Sequence, residues 1–206
     1  MIKDITEILQ NKLIEADLKF VDNIAGLVQR VEKKEASGKV NYIPVAWSAK
    51  TSNGENIPCK GPGIEILPDQ NIKGFIFFEE SAPTINTGSD SRGNIIFENQ
   101  FNLICWLNRD KITGESYKSI NSKAQMLIIN ALKTDNFINV DPFMNLKIEL
   151  LRIAPTDSNI FRNYTFDEQR TQYLTPPFEY FSLNFRARFS VSNCIDELIL
   201  NPKECL

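Results

Sequence analysis

Phe181-Ser182-Leu183-Asn184-Phe185-Arg186-Ala187-Arg188-Phe189-Ser190-Val191 decides the fold class of this 206-residue chain. Apolar residues hold every odd position of the stretch and polar residues every even one. Side chains alternate across a strand with a period of two, so the stretch reads as a half-buried antiparallel strand. A second alternating run places Phe97, Asn99, Phe101, Leu103, Cys105 and Leu107 on one face, against Glu98, Gln100, Asn102, Ile104 and Trp106. The latter set turns apolar only toward its end, which predicts a sheet covered fully on one side and partly on the other.

Working outward, Asn145 to Ile153 reads as a strand ended by Pro155, and Gly74-Phe75-Ile76-Phe77-Phe78-Glu79 as a short buried strand. Leu27 to Glu32 and Val40 to Trp47 flank Ser37-Gly38-Lys39 and predict a hairpin; Pro44, which lacks a donor, places its second strand at an edge or breaks it. A competing reading continues the first helix through Val31. That helix is marked by Ile2, Ile5, Ile8, Leu9, Leu13 and Leu18 at helical spacing, with Asp4 or Thr6 as its cap. A second helix over 116–133 carries the stripe Tyr117, Ile120, Ala124, Leu127, Ile128 and Ala131.

Strands outnumber helices and do not alternate with them. The expected class is therefore α+β: an antiparallel sheet of about five to six strands, with the N-terminal and central helices packed on one face. One domain over residues 1–206 is expected, with extended loops at 48–72, 80–94 and 154–177. Loops longer than ~12–15 residues are uncommon unless they have a task. These three carry Ile, Leu, Phe and Tyr, and arms reaching a neighbour are the economical reading.

Composition narrows the chemistry. The chain has no histidine, so a Ser-His or Cys-His pair is impossible and the commonest metal ligand is missing. The four cysteines, Cys59, Cys105, Cys194 and Cys205, form no C-x-x-C pair and read as reduced thiols. No catalytic, cofactor or metal residue is therefore expected. Glu79-Glu80, Asp141 with Glu149, and Asp167-Glu168 are the carboxylates to check for a dyad. Gly88 to Gly93 lacks the ending of a phosphate loop and reads as a loop tip. Charges of both signs are mixed to a net −3, with no basic stripe for nucleic acid. The charged start and the absence of a long apolar run lead us to expect neither a secretion signal nor a membrane span.

Two features point to protein contacts. Arg186 and Arg188 share the polar face of the last strand, facing either solvent or acidic groups of a neighbouring subunit. Tyr164, Phe166, Tyr173, Phe178 and Tyr180 crowd a polar, Pro-containing stretch, ordered either against its own sheet or against a partner.

The element order, from the helix at Ile2 to Leu13 through the hairpin, the strand Phe97 to Leu107, the helix Tyr117 to Leu132 and the pair Leu146–Ile153 and Phe181–Val191, resembles the tail-terminator and tail-completion (neck) proteins of tailed bacteriophages. That resemblance implies a homo-oligomeric ring at the head–tail connector or tail end, bound to other neck or tail proteins. It implies a virion protein assembled in the host bacterial cytoplasm, whose ring lumen could pass DNA without reading its sequence. The interface residues expected are Arg186, Arg188, Tyr164, Phe166 and Tyr173. Two rival classes stay open: a carboxylate- or cysteine-dependent enzyme, which requires a pocket gathering carboxylates with shifted pKa values, and a binding module recognising one protein partner.

Overall fold

The computed structural model describes residues 2–35, 38–59, 63–91, 93–115, 118–134, 138–141, 144–154, 158–166 and 171–191. In chain order its elements are α1 (Ile2–Glu15), β1 (Asn23–Lys34), β2 (Val40–Ala46), β3 (Ala49–Thr51), β4 (Ile64–Glu65), β5 (Gly74–Ser89), β6 (Ile95–Asn108), α2 (Arg109–Thr113), α3 (Asn121–Leu132), β7 (Ile138–Asp141), β8 (Met144–Ala154) and β9 (Phe178–Val191). Short 3-10 turns lie at Ser158–Phe161 and Gln172–Leu174.

All nine strands join one sheet in the order β4-β2-β1-β5-β6-β9-β8-β7, with β3 also paired to β1. The α+β class is as expected, but the sheet is larger than five to six strands and is mixed, because β1 runs parallel to β5. The excursion through β2, β3 and β4 returns the chain to the same end of the sheet, which permits that parallel pairing. Every other pairing is antiparallel. The hairpin reading of residues 27–47 holds, and the helical alternative through Val31 does not. β3 continues β2 in the same register, with Val28 opposite Ala46 and Ala25 opposite Ala49. Pro44 is not at an edge: its carbonyl accepts from the Ile66 N–H at 2.9 Å, beside the two-residue β4.

The alternating strands build the first core. Phe101, Leu103, Cys105 and Leu107 of β6 and Phe181, Leu183, Phe185, Ala187 and Phe189 of β9 meet Ile5, Leu9 and Leu13 of α1 and Ala124, Ile128 and Leu132 of α3. Each large side chain buried there contributes roughly 1.5–3 kcal/mol. Both helices therefore dock on one face, as the stripes predict. Two details differ. Leu127 is 40% exposed, because the face of α3 turned to the sheet is narrower than its apolar stripe. Thr6 lies inside α1, its hydroxyl donating to the Lys3 carbonyl, so it caps nothing. Tyr117 falls outside the described residues.

A second core forms on the opposite face around Phe75, Phe77, Ile104, Trp106 and Tyr180. No helix covers it. Residues from the 57–72 segment (Ile57, Ile64, Ile66, Ile72) and from the 160–178 segment (Phe161, Tyr164, Phe166, Tyr173) lie over it instead. The expected loop at 80–94 is mostly strand: β5 runs to Ser89 and closes on β6 as a long hairpin arm. At its tip, Gly88 and Ser89 belong to the strand rather than to a phosphate loop, and Asp90 and Asn94 close the end, the Asp90 carboxylate accepting the Asn94 N–H at 3.0 Å.

Candidate functional site

The strand registers turn the second face into a graded surface. Across β6, β9 and β8, one row holds Ile104, Ser182 and Ala154, and the next Asn102, Asn184 and Arg152. Beyond them come Gln100, Arg186 and Glu149, then Glu98, Arg188 and Lys147. The sheet is thus apolar where the loops lie on it and increasingly charged away from them. The polar rows carry four bases, Lys147, Arg152, Arg186 and Arg188, against two acids, Glu98 and Glu149. This patch is net positive on a chain whose net charge is −3.

Arg186 lies between two carboxylates of its own chain. Its Nε is 3.2 Å from Glu98 Oε1 and its Nη1 3.9 Å from Glu149 Oε2. The Arg186 N–H is not aimed along the shorter contact, and the buried Nε atoms of both Arg186 and Arg188 make no hydrogen bond among the described residues. Glu149 is held below the usual carboxyl range, first by its hydrogen bond from Lys147, 2.7 Å away. The arginines are therefore neither free in solvent nor fully satisfied within the chain.

The aromatic segment packs on its own sheet. Tyr164 is buried, edge-on to Phe77 at 6.1 Å and stacked on half-buried Phe166 at 6.5 Å. Thr165 fastens this stretch to β2, donating its N–H to the Tyr42 carbonyl at 2.8 Å and accepting the Tyr42 N–H at 2.6 Å. Tyr173 accepts the Trp106 indole N–H on its carbonyl at 2.7 Å and sits edge-on to Phe178, which stacks on Trp106 at 5.2 Å. The five expected interface residues therefore separate into two groups: Arg186 and Arg188 on the open polar rows, and Tyr164, Phe166 and Tyr173 in the second core.

Between these groups lies a cleft of about 540 Å³, lined by Glu79, Asn102, Arg152, Arg162, Asn163 and Asn184 among others. Its floor is the Asn row, where the Asn184 amide donates to Asn102 Oδ1 at 2.9 Å and to the Ser81 hydroxyl at 3.2 Å. Its wall is the turn after Phe161. Glu79 accepts from Asn163 Nδ2 at 2.6 Å and from the Tyr164 hydroxyl. Burial raises the Glu79 carboxyl above its ordinary value, against the opposing pull of Asn163 and of the Arg162 charge. Burial, then the Glu79 charge, pushes the Tyr164 phenol up as well. Arg152 and Arg162 make no ion pair among the described residues and stand exposed at the rim.

No protein-family model and no curated protein matches this chain.

The other carboxylates do not gather. Glu80 is on the opposite face of β5 from Glu79, accepting from Asn99 at 2.8 Å, and Glu149 stays with Lys147 and Arg186. Asp167, Glu168 and the Asp141 side chain lie outside the described residues. Cys105 is a buried free thiol raised by desolvation. Cys59 is disulfide-bonded, which corrects the reading of this position as a reduced thiol: its half-buried place on a surface loop leaves the sulfur accessible. Cys194 and Cys205 are outside the described residues. Among the described residues no group of three or more acidic or cysteine side chains is placed to hold a metal ion, and no helix is long and apolar enough to cross a membrane.

Sequence reasoning missed the cleft and also an interior ion pair. Arg109 Nη1 lies 3.4 Å from Glu179 Oε1, both side chains nearly buried, while Glu179 Oε2 accepts the Ile120 N–H at the start of α3. The signal was present: Glu179 continues the odd-numbered apolar series of β9, and Glu79 continues the Phe75–Phe77 series of β5. A carboxylate at a core-facing position asks for a partner.

Proposed function

We propose that this protein is a non-enzymatic virion structural component that closes with copies of itself into a ring at a phage head–tail connector or tail end. The observation that carries this reading is the three-strand polar face around Arg186 and Arg188. It is net positive, half-buried in side chains already ordered by the sheet, and distinct from the helix-covered face. Rings form when one patch meets a different, complementary patch on the next copy and the rotation closes. A charged patch with pre-ordered side chains suits such a heterologous contact, because little rotamer freedom is left to lose on association.

Tyr164, Phe166 and Tyr173 act in this scheme by holding residues 160–166 and 171–178 on the sheet. They shape the border of the contact rather than insert into the neighbour. The test is light scattering on size-exclusion eluate, followed by negative-stain imaging of the same peak. Rings with a hole are expected, and Arg186→Glu with Arg188→Glu is expected to abolish them. An unchanged oligomer in the double variant removes these arginines from the interface, and a monomer at every concentration opposes self-assembly.

The cleft beside Glu79 favours a second reading, a binding module that recognises one protein partner. It predicts a small oligomer with one occupied site. The carboxylate-dependent enzyme is less well served, since the cleft brings one carboxylate, not a pair, among the described residues.

A further inference from the structure

We propose that the cleft between the Asn102–Asn184 floor and the turn after Phe161 is a socket for an acidic side chain presented by a protein partner, gripped by Arg152 and Arg162. Arg152 and Arg162 line the same cavity, and among the described residues neither makes an ion pair, although the Arg162 charge acts on Glu79. An arginine fork matches a carboxylate in two parallel hydrogen bonds, and either of these two arginines offers one to an acidic group entering the cleft.

The remaining walls say which anion. Two arginines against Glu79 leave one net positive charge in the cleft when all are ionised. That balance suits one carboxylate better than a phosphate, whose second charge would meet Glu79 directly. The amides of Asn102, Asn163 and Asn184 and the hydroxyl of Ser182 add neutral donors and acceptors of the kind that satisfy a peptide backbone. A volume of about 540 Å³ falls within the range of sites that hold a short segment rather than an ion. Nucleic acid is disfavoured on the same ground, because Glu79, Glu98 and Glu149 interleave with the bases and would face a phosphate backbone.

The socket shares its Asn102, Asn184 and Arg152 row with the polar face assigned to the ring contact, so binding is measured on protein diluted until it is monomeric.

The experiment is fluorescence anisotropy of the whole protein with a fluorescein-labelled hexapeptide carrying two glutamates among glycines and serines, and a matched peptide carrying glutamines. Saturable binding of the glutamate peptide is expected, with at least tenfold weaker binding of the glutamine peptide. Arg152→Gln with Arg162→Gln is expected to weaken the glutamate peptide at least tenfold, while Lys123→Gln, exposed on α3 over the other face of the sheet, leaves it within twofold. Side-chain NMR of the arginine Nε–H groups in the unmutated protein gives a second readout: Arg152 and Arg162 should shift on titration. Equal binding of both peptides, no saturation at millimolar peptide, or binding indifferent to the Arg152 and Arg162 changes would each overturn the proposal. Citrate shifting those two resonances where the peptide does not would also overturn it, assigning the cleft to a free small carboxylate.

Discussion

At the scale of single residues, two side chains carry measurable consequences. Glu79 has a pKa raised above the ordinary carboxyl value of 4.5 by burial. The folded state then holds this proton more tightly than the unfolded chain, so its contribution favours folding at low pH and is lost as pH rises above 4.5 through the raised value. Urea unfolding of the wild type and of Glu79→Gln at pH 4 and pH 8 should show the variant gaining relative stability at the higher pH; a difference independent of pH would mean that Glu79 is solvated. Trp106 joins the second core to the 171–178 segment through one indole hydrogen bond and two stacks. Trp106→Phe leaves the Tyr173 carbonyl unpaired and should cost about 1–3 kcal/mol by the same measurement. What could be read in advance follows from how residues are marked by their surroundings. Phe181 to Val191 alternates without error because one of its faces is wholly apolar. Arg152 and Arg162 carried no such mark, since an exposed arginine looks alike beside a cleft and on open surface.

At the scale of elements, legibility tracks how unequal the two faces of a strand are. β6 from Phe101 to Leu107 and β9 from Phe181 to Phe189 have one buried apolar face, and their alternation gave their positions within a few residues. β5 is legible only from Gly74 to Glu79, because from Glu80 to Ser89 both of its faces are largely exposed and no period is imposed. That outer half is held by little. Its pairing with β6 shifts register at three places, and the buried Asn99 amide spans the bulges by donating to Glu80, the Ala82 carbonyl and Thr84. Bulges and Pro83 on this open edge also discourage another strand from pairing there. Native-state hydrogen exchange should find the amides of 84–89 exchanging far sooner than those of 75–78, which lie between β1 and β6 in the sheet. Equal protection along β5 would show the arm to be covered. The parallel pairing of β1 with β5 left no trace in the sequence, since it depends on where the excursion over residues 35–73 returns rather than on the composition of either strand.

At the scale of the whole molecule, the net-positive polar half of the sheet is where assembly is predicted to act, and the loss of rings on reversing Arg186 and Arg188 is the outcome that the light-scattering experiment should record. The long segments expected to be arms were legible as unusual but not as to purpose: two of the three supply the cover of the second core, a task that aromatic residues in a polar stretch serve as readily as they serve an interface. The place of β9 has one more consequence. It sits between β6 and β8, yet it lies C-terminal to both, so every residue of Phe178–Val191 must leave the ribosome before the sheet can close. Until then the nascent chain displays two unsatisfied strand edges and an apolar face beneath the helices that lacks its central strand. Translation that stalls or terminates before this segment would yield a sticky, open-edged fragment rather than a smaller working protein.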